Sequence, residues 1–294
     1  MSRRPSARSL VLGAALALAV WLWSATATAT GLNVEQVRLH PDQDGLYGGV
    51  QFGIDFSAGN TNRLDLRSSA SLAYRHGRHV AFLLGSSQVS TRTQPSDELS
   101  QLLRPESRFV NKANAHLRYN YELLSWLTAE AFTQLERNEF LLLKSRVLFG
   151  IGPRFVAVNN GEFSLALGTD YMFEHESLDP ARVLSPLPPQ TNVHRWSSYL
   201  SLIYAANDRL NMSSTTYVQP RFDLFSDLRL LSEAMLDVTL LEPISIRLTL
   251  RLRWDSDPSS FCSDPVGLGG CPAGKELRLR EFDIGVENSI SVSF

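Results

Sequence analysis

The 294-residue chain has only two cysteines, Cys262 and Cys271, only six histidines, and no long apolar run beyond its N-terminus. Each scarcity removes a class of function. Two sulfurs with no histidine nearby supply too few ligands for a zinc site. His116, His194 and the other histidines stand without metal-ligand spacing, and a polar strand or loop position accounts for each. No cofactor or metal is therefore expected. A run of about 20 apolar residues is needed for a spanning helix, and none follows the N-terminal segment, so a helical membrane protein is excluded. The formal net charge is −2 with no acidic or basic block, which gives no footprint for nucleic acid.

At the N-terminus, Arg3, Arg4 and Arg8 precede an apolar run from Leu10 to Trp23, and Ala25-Thr-Ala27 and Ala27-Thr-Ala29 follow. A charged end, a short apolar middle and a small-residue exit read as a secretory signal peptide over residues 1–29. The alternative, a retained anchor, is disfavoured because the run is about 14 residues, short of a span. No cysteine lies near the exit, which argues against a lipoprotein. Residues 30–45 then form a short periplasmic segment, and residues 46–294 form the folded domain. In an oxidising compartment Cys262 and Cys271 are expected to form one disulfide closing a small loop, worth about 2–3 kcal/mol on the chain-entropy model.

Along the mature chain, period-2 alternation outweighs helical spacing. It marks about twelve strands, near 46–58, 62–75, 79–92, 108–121, 126–137, 143–156, 162–175, 192–205, 209–221, 226–240, 244–256 and 277–294. In the second, Leu64, Leu66, Ala70, Leu72 and Tyr74 share one face while Asp65, Arg67, Ser69 and Arg75 share the other. These runs are long for a globular sheet and suit strands crossing a bilayer at a tilt. The long polar connections, Thr93 to Ser107, Glu176 to Thr191 and Asp257 to Glu276, all follow odd-numbered strands. The connections after even-numbered strands, such as His76-Gly-Arg78, Leu123-Leu-Ser125 and Leu241-Glu-Pro243, are all short. A soluble sandwich has no reason to sort its loops by parity. An up-and-down membrane barrel does, with its short turns in the periplasm.

The chain ends Phe282-Asp-Ile-Gly-Val-Glu-Asn-Ser-Ile-Ser-Val-Ser-Phe294, with Phe282, Ile284, Val286, Ile290, Val292 and Phe294 on one face. This resembles the closing strand of an outer-membrane barrel. The resemblance implies that terminal Phe294 acts as the membrane-insertion signal read by the barrel-assembly machinery. It also implies that both termini lie in the periplasm of a Gram-negative cell and that the partner of the outer face is outer-membrane lipid. The fold class expected is all-β, a transmembrane up-and-down antiparallel barrel. The oligomeric state is left open.

Pairing residues across the short hairpins tests the inner face. Around Leu241-Glu-Pro243, Asp237 falls opposite Arg247, Glu233 opposite Arg251, and Arg229 opposite Asp255. A similar register around Leu123-Leu-Ser125 sets Arg118 against Glu130 and Lys112 against Glu136, and one around Asn159-Asn-Gly161 brings Lys144 near Glu174. Opposed unlike charges favour a pairing by a few tenths to about 1 kcal/mol. On the other face, Leu228, Leu230, Ala234, Leu236, Val238 and Leu240 precede Ile244, Ile246, Leu248, Leu250, Leu252 and Trp254, as a lipid-facing wall requires. Trp126, Trp196, Tyr204 and Trp254 lie near strand ends, where aromatic girdles sit.

The stretch Leu46-Tyr-Gly-Gly-Val-Gln-Phe-Gly-Ile-Asp-Phe-Ser-Ala-Gly59-Asn60-Thr61-Asn62, followed by Leu64-Asp-Leu and Tyr74-Arg75, resembles the opening of the salt-induced outer-membrane proteins, the YdiY-like family of unknown function. The turn motif Gly59, Asn60, Thr61 carries the match, and Gly and Asn suit a tight hairpin because they tolerate positive φ. Membership implies a barrel and supplies neither substrate nor catalytic residues.

Three function classes follow. The first is a non-enzymatic barrel, either a narrow or gated small-solute pore or an envelope-structure protein. Arg247, Arg251, Arg253, Glu233 and Asp237 are its lining candidates, and the same residues also read as structural ion pairs. The second is surface recognition or adhesion through the long loops, stiffened by the cysteine pair and by Pro186, Pro188 and Pro189. The third is an enzyme. Outer-membrane phospholipases carry a lipid-facing His-x-Ser with an Asn on a neighbouring strand, and His175-Glu-Ser177 with Asn192 is similar in spacing. Leu178-Asp179 departs from the polar Asn-Gly that follows the serine in those enzymes.

Overall fold

A computed structural model describes residues 44–58, 62–94, 96–139, 141–181, 188–207, 209–258, 260–262, 271, 276–278 and 280–293. The expected signal peptide, the segment up to residue 43, the Gly59, Asn60, Thr61 motif, Pro186 and Phe294 lie outside the described residues. Alternation does what period-2 patterning dictates. It produces β1 (Gly45–Ser57), β2 (Asn62–His76), β3 (His79–Thr93), β4 (Arg108–Leu124), β5 (Leu127–Asn138), β6 (Leu143–Asn159) and β7 (Phe163–Leu178). It continues with β8 (Gln190–Asn207), β9 (Leu210–Pro220), β10 (Leu228–Leu241), β11 (Ile244–Asp255), β12 (Ser260–Cys262), β13 (Glu276–Arg278) and β14 (Phe282–Ser293). Strands β1 to β11 and β14 form a closed antiparallel barrel of twelve, each paired with its sequence neighbour and β14 with both β11 and β1. The closing seam pairs Gly49 with Ser293 and Phe52 with Ile290.

One boundary differs from the sequence reading. The last strand, expected over 277–294, is divided. Residues Glu276–Arg278 pair with Ser260–Cys262 in a separate two-stranded hairpin, and the barrel strand begins at Phe282. The Cys262–Cys271 disulfide sits on this hairpin, with Cα atoms 5.7 Å apart.

The two faces have opposite chemistry. Outward positions carry exposed apolar side chains, among them Phe52, Ile54, Leu83, Leu117, Leu135, Ile151, Leu200, Leu248 and Ile290. Inward positions carry buried polar ones, among them Lys112, Asn114, Arg118, Glu130, Asp170, Glu174, Arg195 and Thr215. An exterior of this kind is costly in water and is what hydrocarbon requires, so the barrel spans a membrane. Among the described residues no helix is long and apolar enough to cross one. Trp196, Tyr204 and Trp254 lie on the strands as expected, whereas Trp126 stands in the two-residue turn before β5 and stacks on Phe155 at 6.3 Å.

Placing a guanidinium on the lipid face tests this inside-out arrangement. Leu248→Arg is expected to destabilise the barrel by about 2–4 kcal/mol, read from urea unfolding in lipid vesicles; an unchanged midpoint would contradict the placement of β11.

Candidate functional site

The lumen is filled by side chains from strands that are not neighbours. On β7, the inward positions after Asp170 are Met172, Glu174 and Glu176, because alternate residues share a face. Glu174 accepts from Arg229 Nη1 at 3.0 Å and lies 3.6 Å from Arg146 Nε and 3.7 Å from Arg195 Nε. Since β8 and β9 separate β7 from β10, the Arg229 contact crosses the interior. Arg146 also bridges Glu136 at 3.1 Å and Glu176 at 2.5 Å. Arg229 and Arg253 share Asp255, at 3.2 and 3.1 Å. Arg195 forks onto Asp227 at 3.1 Å and reaches the Gln219 carbonyl, and Asp227 takes Arg221 at 3.1 Å as well. This knot occupies the half of the lumen nearer the long loops.

A second knot lies deeper. Arg118 bridges Glu130 at 3.1 Å, with both side chains almost fully buried. Its guanidinium also lies 5.0 Å over the Phe132 ring and 5.8 Å over Tyr199. The Tyr199 hydroxyl donates to Glu130 and accepts from Arg154 Nη1 at 3.2 Å, so β4, β5, β6 and β8 meet at one point. Two glycines make this possible. A Cβ on Gly150 would come within 2.2 Å of the Phe132 ring, and one on Gly168 within 2.0 Å of Tyr199. The space these glycines leave is taken by aromatic rings, not by an aqueous path.

On the far wall, Arg251 bridges Glu233 and also Glu287 at 2.6 Å, Arg247 meets Asp237 at 2.7 Å, and Arg67 pairs with Asp55. Here β10 and β11 adopt the register read from the sequence, with Asp237 opposite Arg247, Glu233 opposite Arg251 and Arg229 opposite Asp255. Elsewhere the register moves. Arg118 stands opposite Phe132 and Lys112 opposite Asn138, because the turn falls at Ser125–Trp126 and a bulge follows Glu122. The shift is two residues, which keeps every side chain on its face, so Arg118 still reaches Glu130 diagonally while Glu136 goes to Arg146. Two bulges in β6 move that register further: Glu174 faces Leu148, and Lys144 meets Asp179 at 3.5 Å instead of Glu174. Arg195, Tyr199 and Asp227 escaped the hairpin reading, since they have partners across the lumen or in a loop, and Arg146 escaped it although Glu136 and Glu176 stand directly opposite on β5 and β7.

Space remains between these side chains. A cavity of about 70 Å³ beside His116, Phe132 and Arg229 and another of about 100 Å³ beside Ser69, Ser86, Arg67 and Lys112 stand apart. At the short-turn end Ala73, Val80, Phe82 and Leu84 form an apolar cluster on the inner wall, with Tyr47 against it. Arg75 and Glu122 form a two-bond bridge at the same end, at 2.9 and 2.8 Å.

On the outer face, His175 stands directly opposite Asn192, and His175 Nδ1 lies 2.7 Å from Asn192 Oδ1. Ser177 shares their face two residues further along β7 and stands opposite Gln190. Next to them, the Tyr171 hydroxyl lies 2.5 Å from His194 Nδ1. His116 stacks on Phe132 inside the lumen at 5.4 Å. Among the described residues no group of three or more His, Cys, Asp or Glu could hold a metal ion.

A closed twelve-strand barrel with an apolar outside and a charge-filled inside defines a membrane-spanning β-barrel of the porin-like architecture. The chain belongs to the family described as "Protein of unknown function, DUF481", whose profile matches residues 50–261. No curated protein matches it. Among solved structures it is similar to the NanC porin, at 14% identity over 84% of this chain and 96% of that one, with a TM-score of 0.40. It is similar also to the KdgM porin solved with disordered oligogalacturonate, at 9% identity, covering 84% and 99%, TM-score 0.41. The translocator domain of the autotransporter NalP from Neisseria meningitidis gives 9% identity, 98% and 97% coverage, and a TM-score of 0.42. Likenesses this distant carry no argument about what the protein does.

Removing one partner of the deep knot strands a charge. Glu130→Ala is expected to cost about 3–5 kcal/mol, and the double change Arg118→Leu with Glu130→Ala to recover much of it. The measurement is a double-mutant cycle by urea unfolding that includes Arg118→Leu alone, and a double-variant loss equal to the sum of the two single losses would show that the two side chains are not coupled.

Proposed function

We propose that the protein is an outer-membrane β-barrel whose lumen is closed at rest by buried ion pairs, serving as an envelope-structure barrel or a narrow, gated passage for small solutes. The observation that carries this reading is the set of contacts that cross the lumen, Glu174 to Arg229 and Glu130 to Tyr199. A porin-like channel needs a lumen free of such crossings, whereas a barrel filled by side chains is a plug. In this reading both termini and the short turns face the periplasm, the long loops face outward, and insertion depends on the barrel-assembly machinery. Inward acids and bases are interspersed, which predicts weak ion selectivity for any passage. The resemblance to salt-induced proteins adds the expectation that the protein's abundance rises with external salt.

A second reading is surface recognition, supported by the disulfide and the β12–β13 hairpin that stiffen the connection between β11 and β14. Deleting that connection would abolish binding of a surface ligand and leave conductance alone. A third is lipid hydrolysis, for which the His175–Asn192 contact is the supporting geometry: Asn192 would orient the ring so that its other nitrogen can take the Ser177 proton. Ser177→Ala would abolish phospholipid hydrolysis if this reading holds and leave a zero baseline unchanged if it does not.

Single-channel recording in planar bilayers tests the principal reading. The wild-type barrel is expected to be silent or to show rare, small steps. Glu174→Ala combined with Arg229→Ala is expected to raise conductance several-fold by removing a crossing contact. Large, steady wild-type conductance would overturn the closed-lumen reading.

A further inference from the structure

The outside of β2, β3 and β4, at the long-loop rim, carries a groove that the lumen does not use. We propose that it binds an anionic, phosphate-bearing lipid of the surrounding leaflet, with the acyl chain against Leu64, Leu66 and Val89 and the phosphate against Arg104 and Arg108. After β3 the chain folds down over the barrel's outer wall in two short 3-10 turns, Leu99–Leu103 and Pro105–Ser107. Leu102 anchors it, at 3% exposure, while neighbouring Leu103 is left 77% exposed. Between this segment and the outward-facing residues Leu64, Leu66, Val89 and Thr91 lies a cavity of about 170 Å³, also lined by Pro105 and the two arginines.

The arginines are aimed there by the backbone. Alternation from buried, inward Val110 would send Arg108 into the lumen. A bulge between Ser90 and Thr91 pairs Arg108 with outward-facing Thr91 instead, and re-aiming a side chain is what such bulges do. Arg108 Nε donates to the Pro105 carbonyl at 3.1 Å, which pins the guanidinium above the groove and turns its remaining amines outward. Arg104 is 61% exposed, and the nearest acid in its segment, Glu106, is 3.9 Å away and 69% exposed, a pairing worth little in water. The other acids of the segment are engaged in its own turns: Asp97 accepts from the Gln94 amide at 2.9 Å and Glu98 from Ser100 at 3.1 Å.

The result is an apolar trough on the lipid side with two guanidiniums at its aqueous edge. A free anion would leave the trough and Leu103 uncovered, and a neutral lipid would leave the arginines without a partner, whereas a phosphate ester carrying an acyl chain satisfies both. The inference rests on the barrel standing in a membrane and not on whether its lumen conducts.

Native mass spectrometry of the membrane-extracted protein, moved into nanodiscs of equimolar phosphatidylglycerol and phosphatidylcholine, tests it. Wild-type protein is expected to retain phosphatidylglycerol preferentially, and R104A/R108A to lose at least about fivefold of that enrichment. Leu103→Ser, at an exposed position that leaves folding intact, is expected to weaken retention as well. Heat-modifiable gel mobility confirms that each variant is a folded barrel. No enrichment in the wild type would overturn the proposal, as would full enrichment in R104A/R108A. Loss in R104A/R108A with none in Leu103→Ser would also overturn it, by reducing the site to surface charge without a groove.

Discussion

Everything in this structure follows from the need to satisfy the backbone inside hydrocarbon. With no water at membrane depth, an open sheet edge leaves amides and carbonyls unpaired at several kcal/mol each, and only closure removes the edge. The seam between β1 and β14 is therefore the constraint on which the rest depends. Once the sheet closes, each strand sends every second side chain into a space that lipid cannot enter. Those side chains have only each other and trapped water. Arginine suits that space because its fork can hold two carboxylates and its plane can lie on an aromatic ring, as Arg146 does with Glu136 and Glu176 and Arg118 with Phe132.

What was legible in the sequence was whatever depends on period and parity. Alternation located the barrel strands, and the sorting of long and short connections distinguished a barrel from a sandwich before any coordinates. The β10–β11 register could be counted because its turn is tight and its one irregularity lies between Thr239 and Leu241, beyond the charged pairs. The β4–β5 and β6–β7 registers could not, since their bulges add residues to one strand and the alternation of side chains survives a two-residue slip. Parity errors would have been visible as apolar residues in the lumen. Slips of two or four residues leave no such mark.

Contacts across the lumen were invisible for a different reason. Which residue of β7 meets which residue of β10 is set by strand tilt and stagger around the whole barrel, and no hairpin encodes that. Tyr199 reads locally as one more aromatic on an alternating strand. Only closure brings it against Glu130, 69 residues earlier in the chain. Gly150 and Gly168 likewise show only a missing side chain locally, and the positions of Phe132 and Tyr199 reveal that the room is occupied.

The two knots differ in a way that decides where the lumen can yield. In the outer knot the partners are redundant: Arg146 touches three carboxylates, Arg229 two, and Glu174 faces three guanidiniums. If Glu174 or Arg229 swings away, none of its partners is left alone, so the desolvation penalty of an orphaned charge is avoided. The deep knot is held by packing as well as by charge. Arg118 bridges one carboxylate, Glu130, and its flanking rings are seated on glycines that admit no other side chain. Moving Arg118 would break the buried Glu130 bridge and lift the guanidinium from two aromatic rings together. On the gated reading proposed above, opening would begin among the interchangeable Glu174 and Arg229 pairs nearer the long loops, and the Arg118, Glu130 and Tyr199 cluster would set the depth at which it stops.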